Sequence, residues 1–543
     1  MLPWKGVIVH TILVLTQPTY LAVRYLLDSE YFSFTNTSWF ALTAMIWTYI
    51  VTQISVPFLT SPLHHLPSPP GERFPTGHLD FNGGKPPTDN IAKMLETPND
   101  GLLVLRVMYL WCEVVPTRPD TIMDVLNTNN YDWEKPPGSR KLLARTLGEG
   151  LVVTEGNTHK AMRKAVAPAF SGHHVRDLVP LFYAKGLAFA DSLAREASKS
   201  TDGKVEMLAQ MSRVTLDIIG AAGIGKDFNT IENNKNPLAN LYARITSSDR
   251  GPPWLFVLIN STMPTWFIER LRGTRYARVA EAQKQLRNDV RNLIQEKRRS
   301  TPDKLDEQKD IISIILRSGD FSDDYLVDQL LTFLAAGHDT TASALTWTTW
   351  LLALNPQMQD RLRAECNNRL ADKTSSAIDA SNFDAEAMPY LTAVCNETLR
   401  LYPPAPATAR YSVKPTKIGG QYIPKGTTAL ISLWAINRDP TLWGDDADKF
   451  NPNRWLDGPN AANGGAKSPY ALLTFIHGPR SCIGQTFART EMKCLLAALV
   501  MRFTFEIADP DEKVEVGGFI TIKPRNGLRL KLHDLKVEAD AKA

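Results

Sequence analysis

Apolar positions along this chain change spacing twice, and the changes divide it into three regions. From Gly6 to Val23, and again from Ser38 to Leu59, apolar residues run together almost without charge. A membrane-crossing helix needs about 20 mainly apolar residues, and 38–59, with Phe40, Leu42, Ile46, Trp47, Tyr49, Ile50 and Val51, has that length. The first stretch is interrupted by His10 and Gln17-Pro18, and reads as a second span, a re-entrant segment or a signal-like stretch. No small-x-small cleavage site follows it, which favours retention. A proline-rich run from Ser61 to Gly71 then predicts a stiff, extended spacer. Beyond it the period settles near 3.6, predicting mostly helices. Short strand patterns interrupt them at Leu102–Arg106, at Thr416–Ile423, and in a hairpin of Phe519–Lys523 with Leu528–Leu532 about Pro524–Gly527. The fold class is therefore mainly α with small β-sheets, plus one or two N-terminal transmembrane helices. Its organisation is an anchor over 1–60, a linker over 61–75 and a globular domain over 76–543.

The strongest helical pattern starts at Ser322-Asp323-Asp324, residues that suit a helix N-terminus, and stops at Asn355-Pro356. Leu330, Leu331, Phe333, Leu334 and Leu345 lie nearly all round it, so it must be buried at the centre of the fold. Such a helix breaks its own rule at Ala336-Gly337-His338-Asp339-Thr340-Thr341, and breaks of this kind tend to mark function. Gly337 would let a flat cofactor or small ligand approach the backbone. Asp339 can take part in proton delivery, and Thr340 can bond back to a carbonyl or offer its hydroxyl to a ligand.

Near the C-terminus stands Phe475-Ile-His-Gly478-Pro-Arg480-Ser-Cys482-Ile-Gly484, followed directly by a helical pattern from Gln485 to about Arg502. A cysteine ahead of a helix meets unpaired N–H groups and the positive end of the dipole, which favour the thiolate. An ionised, backbone-wrapped sulfur suits the axial position of an iron-porphyrin. This decapeptide, together with the Ala-Gly-x-Asp-Thr run, resembles the cytochrome P-450 superfamily of haem-thiolate monooxygenases, in the style of its fungal members. The resemblance covers the chain from about Pro67 onward. In one place the chain departs from it: the family often has Gly directly after the Phe, where Ile476 stands here.

The resemblance implies a triangular helical fold with a long central distal helix, and haem b held by Cys482 as the axial iron ligand. It implies Asp339 and Thr340 as the acid–alcohol pair supplying protons, and Phe475, Gly478 and Gly484 as the frame of the ligand loop. Haem propionates want arginine forks, and Arg163, Arg410 and Arg480 match the family's positions, with His159 standing where a Trp is common. Glu397 and Arg400, at i and i+3, with Arg454 of Pro452-Asn-Arg-Trp455, match its structural brace. Substrate contacts are expected from Phe333, Ala336 and Thr340, from Ala405 to Thr408, and from the Gly518-Phe519 turn.

With 543 residues, 43% hydrophobic, the chain can bury a large core. A net charge of only +4 excludes a polybasic nucleic-acid binder. Five cysteines without a CxxC pair exclude a disulfide framework or zinc ribbon and fit a reducing compartment. No flavin or dinucleotide fingerprint is present: Gly220, Gly223 and Gly225 stand in the wrong order. Electrons must then come from NADPH through a separate cytochrome P-450 reductase, with cytochrome b5 a further candidate donor. Lys160, Lys164, Arg489 and Lys493 would form a basic docking patch for it. The expected activity is monooxygenation of a lipophilic small molecule, a polyketide, terpenoid or alkaloid, at the cytosolic face of the endoplasmic reticulum membrane. Rival readings are a fatty-acid hydroxylase, a reductase-independent haem-thiolate isomerase or dehydratase, and a non-catalytic haem sensor.

Overall fold

The computed structural model describes Met45 and residues 61–71, 78, 92–107, 111–200, 202–233, 263–264, 267, 270, 275–299, 309–319, 321–371, 373, 377–518 and 520–537. Both apolar N-terminal stretches lie outside the described residues except for Met45. No described helix is long and apolar enough to cross a membrane, so the transmembrane element expected from the sequence has no counterpart among them.

In chain order the elements used below are β1 (Leu102–Val107), β2 (Trp111–Pro116), β3 (Trp133–Glu134), α1 (Gly156–Val166), α2 (Val179–Lys199), β4 (Lys204–Glu206) and α3 (Met207–Ile224). They continue with α4 (Asp323–Leu354), α5 (Pro389–Leu401), β5 (Ala407–Ser412), β6 (Thr416–Ile418), β7 (Gln421–Ile423) and β8 (Thr428–Ser432). The last are α6 (Gln485–Arg502), β9 (Phe503–Ile507), β10 (Val516–Gly517), β11 (Lys523–Pro524) and β12 (Arg529–Asp534).

Contacts divide the chain into two compact units. The smaller comprises Met1–Trp133 and Ala409–Ile431 and carries most of a five-stranded sheet in the order β1-β2-β8-β5-β3. β1 and β2 are antiparallel and bury Leu103, Leu105 and Val115. The proline-rich run lies against this sheet: Val104 N–H donates to Pro67 O at 3.0 Å, and His78 Nε2 bonds Pro69 O at 2.8 Å. The pattern over 416–423 is two strands, β6 and β7, folded back at Gly419 and Gly420, whose φ of 54° and 81° suit a two-residue hairpin turn.

The larger unit, Glu134–Thr408 and Ser432–Ala543, holds the main apolar core and nearly all the long helices. Its centre is α4, 32 residues long. Ser322 caps it, its hydroxyl accepting from Tyr325 N–H, Asp323 and Asp324 sit in the first turn, and Pro356 prevents continuation. Leu326, Leu330, Leu334, Ala342, Leu345 and Leu352 are buried on several faces of this helix. α3 packs along α4 at Gly337, where an added Cβ would stand 3.0 Å from the Ile219 side chain. Gly337 thus serves close helix–helix packing at this point.

The expected hairpin between 519–523 and 528–532 does not form. β11 pairs with β10, whereas β12 pairs with β4 and β9. Pairing with distant strands buries Leu530 and Leu532, which a two-stranded ribbon could not do.

Candidate haem-thiolate site

α6 starts at Gln485 with Gly484 at its N-cap, so Cys482 stands two residues ahead of the N-cap. The loop before it is closed by Cys482 N–H donating to Phe475 O at 2.8 Å, and by Ile476 N–H to Leu473 O at 2.8 Å. Gly478, at φ 77°, opens a single 3₁₀ turn to Arg480. Ile476 is one of two non-glycine residues with positive φ among those described, at 57°. That is the left-handed conformation a Gly adopts freely and a β-branched residue enters at a cost of about 1–2 kcal/mol. Phe475 carries the Arg489 guanidinium over its ring at 5.1 Å.

Cys482 is exposed, whereas Cys366, Cys395 and Cys494 are buried. Burial pushes the Cys395 thiol up to about 12, and the thiols of Cys366 and Cys494 are likewise raised. The Cys482 thiol, though open on one side, is also pushed above its ordinary value by the protein around its sulfur, against the opposing pull of Gly484 N–H and Arg163. A coordinated metal would deprotonate the thiol outright.

Arg163 on α1 donates from Nη1 to Ser481 O at 2.7 Å and from Nη2 to Ser481 Oγ at 3.2 Å. Arg480 meets Glu155, Nε to Oε2 at 2.7 Å and Nη2 to Oε2 at 2.5 Å, and Lys135 reaches the other oxygen of that carboxylate at 3.1 Å. Glu155, immediately before α1, was not singled out in the sequence, where nothing but its place ahead of Gly156 marks it. His159 is buried, and burial together with Arg480 and Lys135 lowers its pKa to about 4. It is therefore neutral, able to donate one N–H but not a positive charge. Arg410 lies buried on β5 in the smaller unit, its Nη1 donating to Ala409 O.

Between Gln329 and Thr349 the buried surface of α4 is interrupted at one place: Ala336 is exposed, and Ala335, Gly337 and Thr340 are half-buried. Thr340 Oγ1 donates to Ala336 O at 2.7 Å. Asp339 is buried and points elsewhere: Thr521 Oγ1 donates to Oδ2 and Lys523 Nζ to Oδ1, each at 2.5 Å. Burial pushes its carboxyl up, but Lys523, His338 and the two hydrogen bonds more than reverse this and leave it below its ordinary value. Asp339 and Thr340 are thus adjacent but engaged with different partners. Phe170 stacks edge-on against Phe333 of α4 at 5.1 Å and Phe487 of α6 at 6.5 Å, tying the two helices together.

The brace is complete within the larger unit. Arg400 forks onto Glu397 with Nε–Oε2 2.9 Å and Nη2–Oε1 2.7 Å, both side chains fully buried. Its Nη1 donates to Asn437 O and Ala447 O. Arg454 Nε, Trp455 Nε1 and Asn451 N–H also donate to the Glu397 carboxylate, at 3.0, 2.9 and 3.1 Å. Of the expected substrate contacts, Phe519 lies outside the described residues.

Among the described residues no group of three or more His, Cys, Asp or Glu side chains could hold a metal ion. A metal at Cys482 must therefore arrive with its other donors, as it does in a porphyrin. One exposed thiol at a helix start, with an arginine beside it, fits such a group.

A sequence profile described as cytochrome P450 matches residues 103–530. The chain is 38% identical to cytochrome P-450 monooxygenase sphH of Aspergillus fumigatus over 88% of its own length and 89% of the relative's. It is 34% identical to cytochrome P-450 monooxygenase ALT8 of Alternaria alternata, covering 93% and 94%. To cytochrome P-450 monooxygenase FSL4 of Gibberella zeae it is 32% identical over 97% and 96%. With its cysteine loop, its interrupted central helix and relatives matched nearly end to end, this chain belongs to the cytochrome P-450 family of monooxygenases.

Proposed function

We propose that this monooxygenase oxidises a lipophilic small molecule of fungal secondary metabolism, of polyketide, terpenoid or alkaloid type, using NADPH-derived electrons passed on by a separate reductase. It is tethered to the endoplasmic reticulum by the apolar stretch 38–59 and faces the cytosol. The observation that carries the reading is the exposed Cys482 just ahead of a helix, in a chain whose central helix, buried between Gln329 and Thr349, opens at Ala335, Ala336, Gly337 and Thr340. The fungal origin of the relatives supports the substrate class.

Cys482 would ligate the haem iron, with Phe475, Gly478 and Gly484 shaping the loop. Arg163 and Arg480 would meet the propionates, with His159 adding one neutral donor. Haem b, when bound, supplies the activation of dioxygen from which one oxygen atom enters substrate and the other leaves as water. Small residues at 335 and 336 leave room for an apolar substrate beside Thr340. For Thr340 to pass on a proton, its hydroxyl must leave Ala336 O, and Asp339 must release its present partners.

Reduced with dithionite under carbon monoxide, the purified protein is expected to give the red-shifted difference band of a thiolate-ligated haem, and Cys482→Ser to lose it. A variant that kept the band would sink the ligand assignment. Substrate-induced spectral shifts with polyketides, terpenoids and alkaloids, but not with fatty acids, are expected to confirm the substrate class; the reverse pattern returns the hydroxylase reading.

A further inference from the structure

Three consecutive residues near the C-terminus are fastened along α4. Thr521 Oγ1 and Lys523 Nζ each take one oxygen of Asp339, and between them Ile522 O accepts from Ser343 Oγ at 2.5 Å. Asp339 and Ser343 are i and i+4, so they share one face of the helix. Ile522 N–H is held on its other side by Pro404 O at 2.9 Å. The ion pair is largely shielded, with side-chain exposures of 21% for Lys523 and 12% for Asp339. An opposite charge at this distance and depth holds a carboxyl ionised far more firmly than it would at the surface.

We propose that Lys523, assisted by Thr521, is a positioning residue for the reaction: it holds Asp339 ionised and turned toward the 521–523 segment, and so governs when that carboxylate can take up and pass on a proton. This rests on the reading of Asp339 as proton source. Two charged states compete. With Lys523 in place, the carboxylate is an acceptor with both oxygens occupied and has no contact with the Thr340 hydroxyl, which bonds Ala336 O. With Lys523 displaced, the buried carboxyl loses its counter-charge, takes a proton from solvent and becomes a donor one residue from Thr340. The groups that face it are few. Lys523 and Thr521 come from the C-terminal segment, His338 is the neighbour on α4, its pKa lowered by burial against the pull of Asp339, and Glu491 of α6 adjoins Thr341. The segment carrying Lys523 follows directly on the Gly518 turn expected to meet substrate. A ligand that shifts this turn would release the acid, linking occupancy of the site to proton supply.

The test uses the haem-loaded protein with a reductase and no added substrate, measuring hydrogen peroxide released per NADPH across pH. Lys523→Gln is expected to move the profile upward by about one pH unit or more, since removing an opposite charge raises a carboxyl pKa by that amount. Lys523→Arg should restore it, and Thr521→Val should move it in the same direction by less. A second readout is independent of turnover. The thermal midpoints of the single variants Lys523→Gln and Asp339→Asn and of the double variant should be non-additive, and the non-additivity should vanish in acid, where Asp339 is neutral. An unchanged peroxide profile in Lys523→Gln, or additive midpoints, would overturn the proposal, as would an Lys523→Arg variant that behaves like Lys523→Gln. Failure of the underlying monooxygenase reading would show separately, as the lack of a thiolate-type carbon monoxide band in the unsubstituted protein.

Discussion

Two residues near the cysteine show how much depends on a single side chain. Ile476 occupies a left-handed backbone position that Gly adopts freely and a β-branched residue does not. The conformation persists because Cys482 N–H and Ile476 N–H are both tied to carbonyls of the preceding strand of loop, which leaves the chain no other path. Glu491 on α6 is a different kind of anomaly. It is wholly buried, its oxygens are outside hydrogen-bond geometry with any protein partner, and the Thr341 hydroxyl is the polar neighbour that acts on it. Burial pushes its pKa well above the ordinary 4.5. Between that ordinary value and the raised one, the folded protein keeps a proton that the unfolded chain has lost, so stability falls as pH rises. Below pH 4.5 both states are protonated and the penalty disappears. Glu491→Gln removes the titration and keeps the shape. Its thermal midpoint is expected to match the parent in acid and to exceed it increasingly toward neutral pH; a midpoint difference independent of pH would show that Glu491 is already ionised in the fold. The sequence revealed Cys482 and Asp339 because their motifs are local. It could not reveal that Asp339 is held by Lys523, 184 positions away, because nothing near either residue records the pairing.

Elements were legible to the degree that their signals are local. α4 runs from Asp323 to Leu354 and α6 from Gln485 to Arg502, the bounds read from Ser322, Pro356 and the Gly before Gln485. The C-terminal strands were not legible, because β12 takes its partners from 204–206 and 503–507 and not from its sequence neighbours. α5 lies between these cases. Glu397 and Arg400 could be read as a pair from their spacing. The five donors that converge on Glu397 come from α5 and from residues 451–455, which clamps the segment ahead of the cysteine loop onto the helix. A buried ion pair with every hydrogen bond satisfied is not costly, but removing one member leaves the other charge unpaired. Arg400→Met is therefore expected to destabilise the protein by about 3–5 kcal/mol, as breaking a buried pair does. Urea denaturation of the haem-free and haem-loaded protein would measure it. A loss below about 1 kcal/mol, the size of a surface pair, would mean the brace carries no load.

At the scale of the whole molecule the open question is where electrons enter. The four basic residues grouped by the sequence differ in exposure. Lys160 and Lys164 on α1 are exposed. Lys493 turns inward to Phe383 O, and Arg489 lies over Phe475, its pKa lowered by burial. Arg489 and Lys493 instead line a groove of about 550 Å³ together with His173, Arg176 and Asp384. Exposed Lys160 and Lys164 stand on α1, whose Arg163 is bonded to Ser481 beside Cys482. An acidic donor domain drawn to Lys160 and Lys164 would arrive on the helix in direct contact with the ligand loop. The double variant Lys160→Glu, Lys164→Glu is expected to slow reductase-driven reduction about tenfold at low ionic strength, within the range that steering contributes, and progressively less as salt screens the charges. Reduction by dithionite, which needs no docking, should be unchanged, separating loss of the partner surface from damage to the site. If the variant is reduced by its partner at the parent rate in dilute buffer, the donor docks elsewhere, and the groove bearing Arg489 and Lys493 becomes the surface to test.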